Sequence, residues 1–109
     1  MISTHVLDIS VGRPAANILV ELECMEADKS WTKIFSGTTD LDGRIGAMIS
    51  NKKAVQAGIY RLTFHVMDYF QKKGFYPIIQ VNFIVEEGVS HYHVPILVSP
   101  FGYSTYRGS

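Results

Sequence analysis

Apolar and polar residues alternate along most of this chain with a period of two, the pattern of strands that bury one face. Over residues 17–25 the alternation sets Ile18, Val20, Leu22 and Cys24 on one side. Over 58–66 it does the same for Tyr60, Leu62, Phe64 and Val66, and over 78–86 for Ile79, Val81, Phe83 and Val85. Over 91–98 the apolar row is Tyr92, Val94, Ile96 and Val98. Shorter strands are expected at 5–10, 31–36, 44–48 and 103–107. Between them lie turn-forming stretches: 12–14, 27–30, 37–43, 87–88 and 99–102, and a polar connection at 50–57. Residues 67–73 predict one or two helical turns, stopped by Gly74. About eight short strands, with turn signals every ~8–12 residues, predict an all-β antiparallel sandwich with one short helix.

Composition narrows the picture. A chain of 109 residues suits a single domain spanning 1–109 and buries enough surface to fold without a metal or disulfides. Hydrophobic residues make up 47% and charged residues 18%, apolar enough to predict that some surface is hidden by self-association. Ten basic and ten acidic side chains leave a formal net charge of zero, which argues against nucleic acid and against an anionic membrane as partners. No apolar run reaches the ~20 residues of a membrane span, and no leader or peroxisomal tripeptide is recognisable, so a cytoplasmic location is expected. Cys24, the sole cysteine, falls on a core-facing position and reads as an inert thiol.

The candidate chemistry lies on the faces that periodicity leaves outside the core. On strand 91–98 the outward row is His91, His93, Pro95 and Leu97, imidazoles beside apolar residues, which is no ordinary solvated face. On strand 5–10, His5, Leu7 and Ile9 share a face; on the last strand Ser104 and Tyr106 do. His91 and His93 have the spacing of two metal ligands on one strand face, but two are too few, and no metal or other cofactor is expected. Arg44 follows the Asp42-Gly43 turn and, by itself, reads as a solvated cation. Arg107 by itself reads as a frayed tail residue.

Several segments together resemble a known family. His5-Val6-Leu7-Asp8 with Gly12-Arg13-Pro14-Ala15 is similar to the opening signature of the transthyretin-like family, and Tyr92 through Pro100 with Tyr103-Ser104-Thr105 to its closing signature. Thr39-Asp40-Leu41-Asp42-Gly43-Arg44 and Gly58-Ile59-Tyr60 fit in order between them. The tail Tyr106-Arg107-Gly108-Ser109 resembles that of the 5-hydroxyisourate hydrolase branch. The resemblance implies two four-stranded sheets with a short helix, a homotetramer built as a dimer of dimers, and active sites in the channel between dimers, lined by the outer faces of the first and last two strands. It places the catalytic set on His5, Arg44, His93 and Ser109. It places substrate contacts on these and on Leu7, Pro95, Leu97, Ser104, Tyr106, Arg107 and Gly108. The alternative within the family is a non-catalytic carrier of small aromatic ligands, in which the positions of His5, Arg44 and His93 hold lysine, glutamate and threonine. One departure is Ile78, where many hydrolases of the branch have a glutamate after the proline matched by Pro77.

The implied reaction adds water to a ring carbonyl of 5-hydroxyisourate and breaks the adjacent carbon–nitrogen bond. Histidine titrates near neutral pH, which suits His5 and His93 to move the protons, and Arg44 suits a planar anionic purine. The residues leave open which histidine is base and which acid.

Overall fold

The computed structural model describes residues 1–49 and 55–109 and contains nine strands among them. These are β1 (Ile2–Asp8), β2 (Arg13–Pro14), β3 (Leu19–Met25), β4 (Trp31–Thr38), β5 (Arg44–Ile45), β6 (Gly58–His65), β7 (Ile78–Val85), β8 (Tyr92–Ser99) and β9 (Gly102–Thr105). They form two sheets. One runs β2-β1-β8-β9, with β5 also paired on β1; the other runs β4-β3-β6-β7. The polar connection expected at 50–57 falls at 50–54 outside the described residues.

The four long apolar rows read from the sequence meet between the sheets. Val20, Leu22, Leu62, Phe64, Ile96 and Val98 are fully buried, and Val6 and Ile2 of β1 join them. Burying each such side chain contributes roughly 1.5–3 kcal/mol, so this face fixes which side of every strand is left outside. Cys24 is only half-buried at the edge of that row, bonded to Glu26, and burial raises its thiol pKa, as expected of an unreactive cysteine.

Three features depart from the sequence expectations. First, β1 and β8 pair in parallel, from Ile2 opposite Tyr92 to Asp8 opposite Val98, within sheets that are otherwise antiparallel. Periodicity is blind to strand direction, and no hairpin joins these two strands to dictate it. Second, the Arg13–Pro14 segment, expected as a stop, is itself a two-residue strand on β1, with Leu7 opposite Pro14. Third, residues 67–72 form successive turns and no helix. Gln71 and Lys72 adopt φ of 55° and 62°, the left-handed region, which no α-helix can continue through.

Those turns still dock. The Tyr69 hydroxyl donates to Asp8 Oδ2 at 2.8 Å, while the backbone N–H and hydroxyl of Ser10 donate to Asp8 Oδ1. The buried carboxylate at the end of β1 is therefore fully partnered, as its burial requires. Burial, reinforced by the bond to Asp8, pushes the Tyr69 phenol up to about 12. Among the described residues no helix is long and apolar enough to cross a membrane.

Candidate active site

Directly paired residues in a sheet point to the same face. The outer face of the β2-β1-β8-β9 sheet can therefore be read row by row from the register. Ser3 of β1 sits opposite His93 of β8, and His93 is bridged on its other side to Gly108. One row along, His5 of β1 lies between Arg44 of β5 and Pro95 of β8. In the next, Leu7 lies between Pro14 and Leu97, and Leu97 faces Ser104 of β9. Histidines from opposite ends of the sequence and an arginine from the middle thus share one surface.

The loop before β5 places Arg44. Asp40 Oδ1 accepts the backbone N–H groups of both Asp42 and Arg44 at 2.9 Å, and the Asp40 N–H donates to the Arg44 carbonyl at 3.0 Å. This tight loop needs a left-handed residue, supplied by Gly43 at φ 74°. A side chain there would also strike the backbone of Val6, whose N–H donates to the Gly43 carbonyl at 2.7 Å. Beneath the loop, the buried Thr39 hydroxyl donates to the Ala15 carbonyl at 2.7 Å and accepts the Ile18 N–H at 3.0 Å. The Thr-Asp-x-Asp-Gly-Arg run is thus a device that fixes β5 against β1 with the Arg44 guanidinium at the surface.

His93 is held at its ring and at its backbone. Its Nδ1 is 2.8 Å from Ser3 Oγ, and its carbonyl accepts the Gly108 N–H at 2.8 Å. Its pKa is lowered, first by burial and then by the charges of Arg44, His5 and His91. An imidazole in that setting is neutral at neutral pH, which is the form that can take a proton.

A cavity of about 270 Å³ opens beside this ring, lined by Ser3, Arg44, His91, His93 and Ser109 together with the start of β5. His5 does not line it; it lies in the next row, near enough to bear on His93 electrostatically. Tyr106 and Arg107 are placed elsewhere. They line a second, mostly apolar cavity of about 310 Å³ with Phe83, Tyr92 and His93. There the Arg107 guanidinium lies 5.0 Å from the centre of the Tyr92 ring, a cation–π contact. The tail thus divides at Gly108, with Ser109 on the first cavity and Arg107 on the second. Leu7, Leu97 and Ser104 form the next stretch of wall beyond His5 and Pro95.

Ser3 was not among the residues singled out by sequence, because β1 was expected to start at His5 and instead starts at Ile2. The signal was present: Ser3 has the parity of His5, two residues back on the same strand face. His91 joins His93 at the cavity, but among the described residues no group of three histidine, cysteine or carboxylate side chains gathers as a metal would need.

With this arrangement in view, the relatives of the chain are informative. The HIUase/Transthyretin family model matches residues 2–108. A 5-hydroxyisourate hydrolase of Salmonella typhimurium is 45% identical over 100% of this chain and 81% of that protein. One of Halalkalibacterium halodurans is 43% identical over 99% of the chain and 97% of that protein. Among solved structures, sea bream transthyretin in complex with thyroxine superposes with a TM-score of 0.90 at 32% identity, covering 98% of this chain and 93% of its own. Klebsiella pneumoniae 5-hydroxyisourate hydrolase superposes with a TM-score of 0.84, also at 32% identity, covering 99% and 98%.

Proposed function

The chain belongs to the HIUase/Transthyretin family, and we propose that His93 is the base, and His5 with Arg44 the proton and charge partners, of a site that hydrolyses 5-hydroxyisourate. The enzyme opens the purine-derived ring to give 2-oxo-4-hydroxy-4-carboxy-5-ureidoimidazoline, a step of urate breakdown. The fold alone does not choose between hydrolase and carrier, since it superposes on both. The choice rests on the residues of one surface: His5 and Arg44 paired across β1 and β5, with His93 in the adjoining row. A carrier needs neither a neutral imidazole nor a guanidinium fixed beside it.

The chemistry follows from those groups. His93, kept neutral by burial and by the cations around it, removes a proton from water through Nε2, the ring nitrogen not engaged by Ser3. The water oxygen adds to the ring carbonyl, and the new oxyanion is offset by the Arg44 guanidinium. The adjacent carbon–nitrogen bond then breaks, and its nitrogen receives a proton handed on through the two histidines. Water is the nucleophile throughout, so no covalent intermediate is needed. Positioned proton transfer of this kind contributes ~10²–10⁴-fold. Gly108 and Ser109 hold the ring and the cavity wall; Leu7, Pro95 and Leu97 exclude water, with Ser104 at the edge. Tyr106 and Arg107 reach substrate only if a neighbouring copy brings their cavity alongside.

That neighbour is part of the reading. The site lies on an open sheet face where Leu7 and Leu97 are half-buried in a single chain. A second copy laid over this face would cover them and enclose the cavity. We infer a homotetramer, a dimer of dimers with the sites in the channel between, working in the cytoplasm. The test is direct: freshly made 5-hydroxyisourate is followed by ultraviolet absorbance with and without the protein, and mass is measured by light scattering. Accelerated decay by a particle of four chains is expected. Decay at the uncatalysed rate would end the hydrolase reading.

A further inference from the structure

We propose that Ser3 is the positioning residue of His93: its hydroxyl accepts the Nδ1–H and thereby holds Nε2 free to exchange a proton with water. The inference deepens the hydrolase reading and rests on His93 being the base.

The geometry is specific. Ser3 and His93 are direct partners in the parallel β1–β8 pairing, so their side chains leave the sheet together. Ser3 is 6% exposed, and its Oγ lies 2.8 Å from His93 Nδ1, its one side-chain hydrogen bond among the described residues. The opposite edge of the ring, at Cδ2, packs against Gly108 so closely that a Cβ added there would lie 2.5 Å away. Nδ1 is taken, Cδ2 is blocked, and Nε2 is the nitrogen that remains. A half-turn of the ring would bring Cδ2 against the hydroxyl and lose the bond.

Which ring nitrogen is protonated is set by the hydrogen bond the other one makes. If the hydroxyl accepts from Nδ1–H, Nε2 carries the lone pair and is basic. When Nε2 gains a proton, Nδ1–H still points at Oγ, so the same bond serves both states and the ring need not move between them. A carboxylate in this place would also hold the ring, but would stabilise the imidazolium and raise its pKa. A neutral hydroxyl fixes the tautomer and leaves the pKa to burial and to the charged groups facing the ring: His5 from β1, Arg44 from β5, and His91 just ahead of β8. Ser3 therefore explains how one histidine can be oriented like a catalytic base and still remain neutral.

The test uses the intact protein labelled with nitrogen-15 at its four histidines. Long-range proton–nitrogen correlation at pH 7.5 should show His93 with Nδ1 protonated and Nε2 bare. Ser3→Ala should lose that single tautomer and lower kcat about 10- to 100-fold, a share of the ~10²–10⁴-fold that positioned proton transfer supplies, with KM little changed. Ser3→Thr, which keeps a hydroxyl, should restore the tautomer and most of the rate. A wild-type His93 protonated at Nε2, or a Ser3→Ala protein with the same tautomer and the same kcat as wild type, would overturn the assignment. The spectrum needs no substrate and no variant. An inactive wild type would therefore count against the hydrolase reading, and a wrong tautomer against Ser3.

Discussion

Gly108→Ala isolates the clamp on His93 with the smallest possible change. Gly108 is not required for its backbone, since its φ lies outside the left-handed region. It is required for space. A Cβ added there would lie 2.5 Å from His93 Cδ2 and 3.1 and 3.2 Å from Cγ and Cδ of Pro95. Carbon atoms rest at about 3.5–4.0 Å, so the new methyl intrudes on the imidazole by roughly 1 Å. Pro95 is buried and its ring is stiff, so either the imidazole swings off Ser3 or the tail lifts off β8. The first outcome breaks the 2.8 Å bond at Nδ1, and the second the 2.8 Å bond from Gly108 N–H to the His93 carbonyl. Either loss costs about 1 kcal/mol of stability, which for a chain this size moves Tm by about 4–8 °C. A displacement of ~1 Å at a reacting group costs far more in rate, about 100-fold. Initial rates of 5-hydroxyisourate decay and a thermal melt of the same preparation measure both. A folded Gly108→Ala protein turning over within a few-fold of wild type would refute the claim that this contact sets the ring.

Other outcomes follow from the same arrangement. Because burial and the charges of Arg44, His5 and His91 lower the His93 pKa, the base stays deprotonated as pH falls below the ordinary 6.5. The acid limb of kcat/KM should therefore have its midpoint under 6.5, and a midpoint above it would contradict the assignment. Gly43→Ala forces an alanine to φ 74° against the Val6 backbone; it should destabilise the protein by about 1–3 kcal/mol or more in urea titrations and lower activity by shifting Arg44. Deleting residues 106–109 removes the strap on His93 and the Ser109 wall while leaving the core untouched. The rate should fall by ~100-fold or more, with Tm lowered by several degrees because the Gly108–His93 bond and the Arg107–Tyr92 contact go with the tail, whereas a fully active truncated enzyme would make the tail dispensable.

Much of this was legible in the order of residues, and the limits were physical. Period-two patterning located the long strands and their core rows, because burying the wrong face of β3, β6 or β8 would expose a line of aliphatic and aromatic side chains. The same pattern put His5, His93 and Leu97 outside the core. Pairing was not legible: nothing in the alternation says that β1 and β8 run parallel, and that register is what sets Ser3 beside His93 and His5 beside Pro95. β2 escaped because two residues cannot show a period. The 67–72 segment has the composition of a helix, but left-handed Gln71 and Lys72, and the tether from Tyr69 to Asp8, hold it as turns. Ser3 escaped for the plainest reason: strand ends are the least certain part of any pattern, and β1 begins three residues before its first histidine. The split of the tail, with Ser109 on one cavity and Arg107 over Tyr92, depends on packing that no local pattern encodes.

The sharpest single measurement is the initial rate of 5-hydroxyisourate hydrolysis by His93→Ala, taken beside wild type at equal protein concentration with circular dichroism and light scattering on both. Loss of the imidazole that Ser3 and Gly108 hold at the cavity should cut the rate by ~100-fold or more while fold and assembly persist. A folded, equally assembled His93→Ala protein that hydrolyses substrate at near wild-type speed would contradict the account.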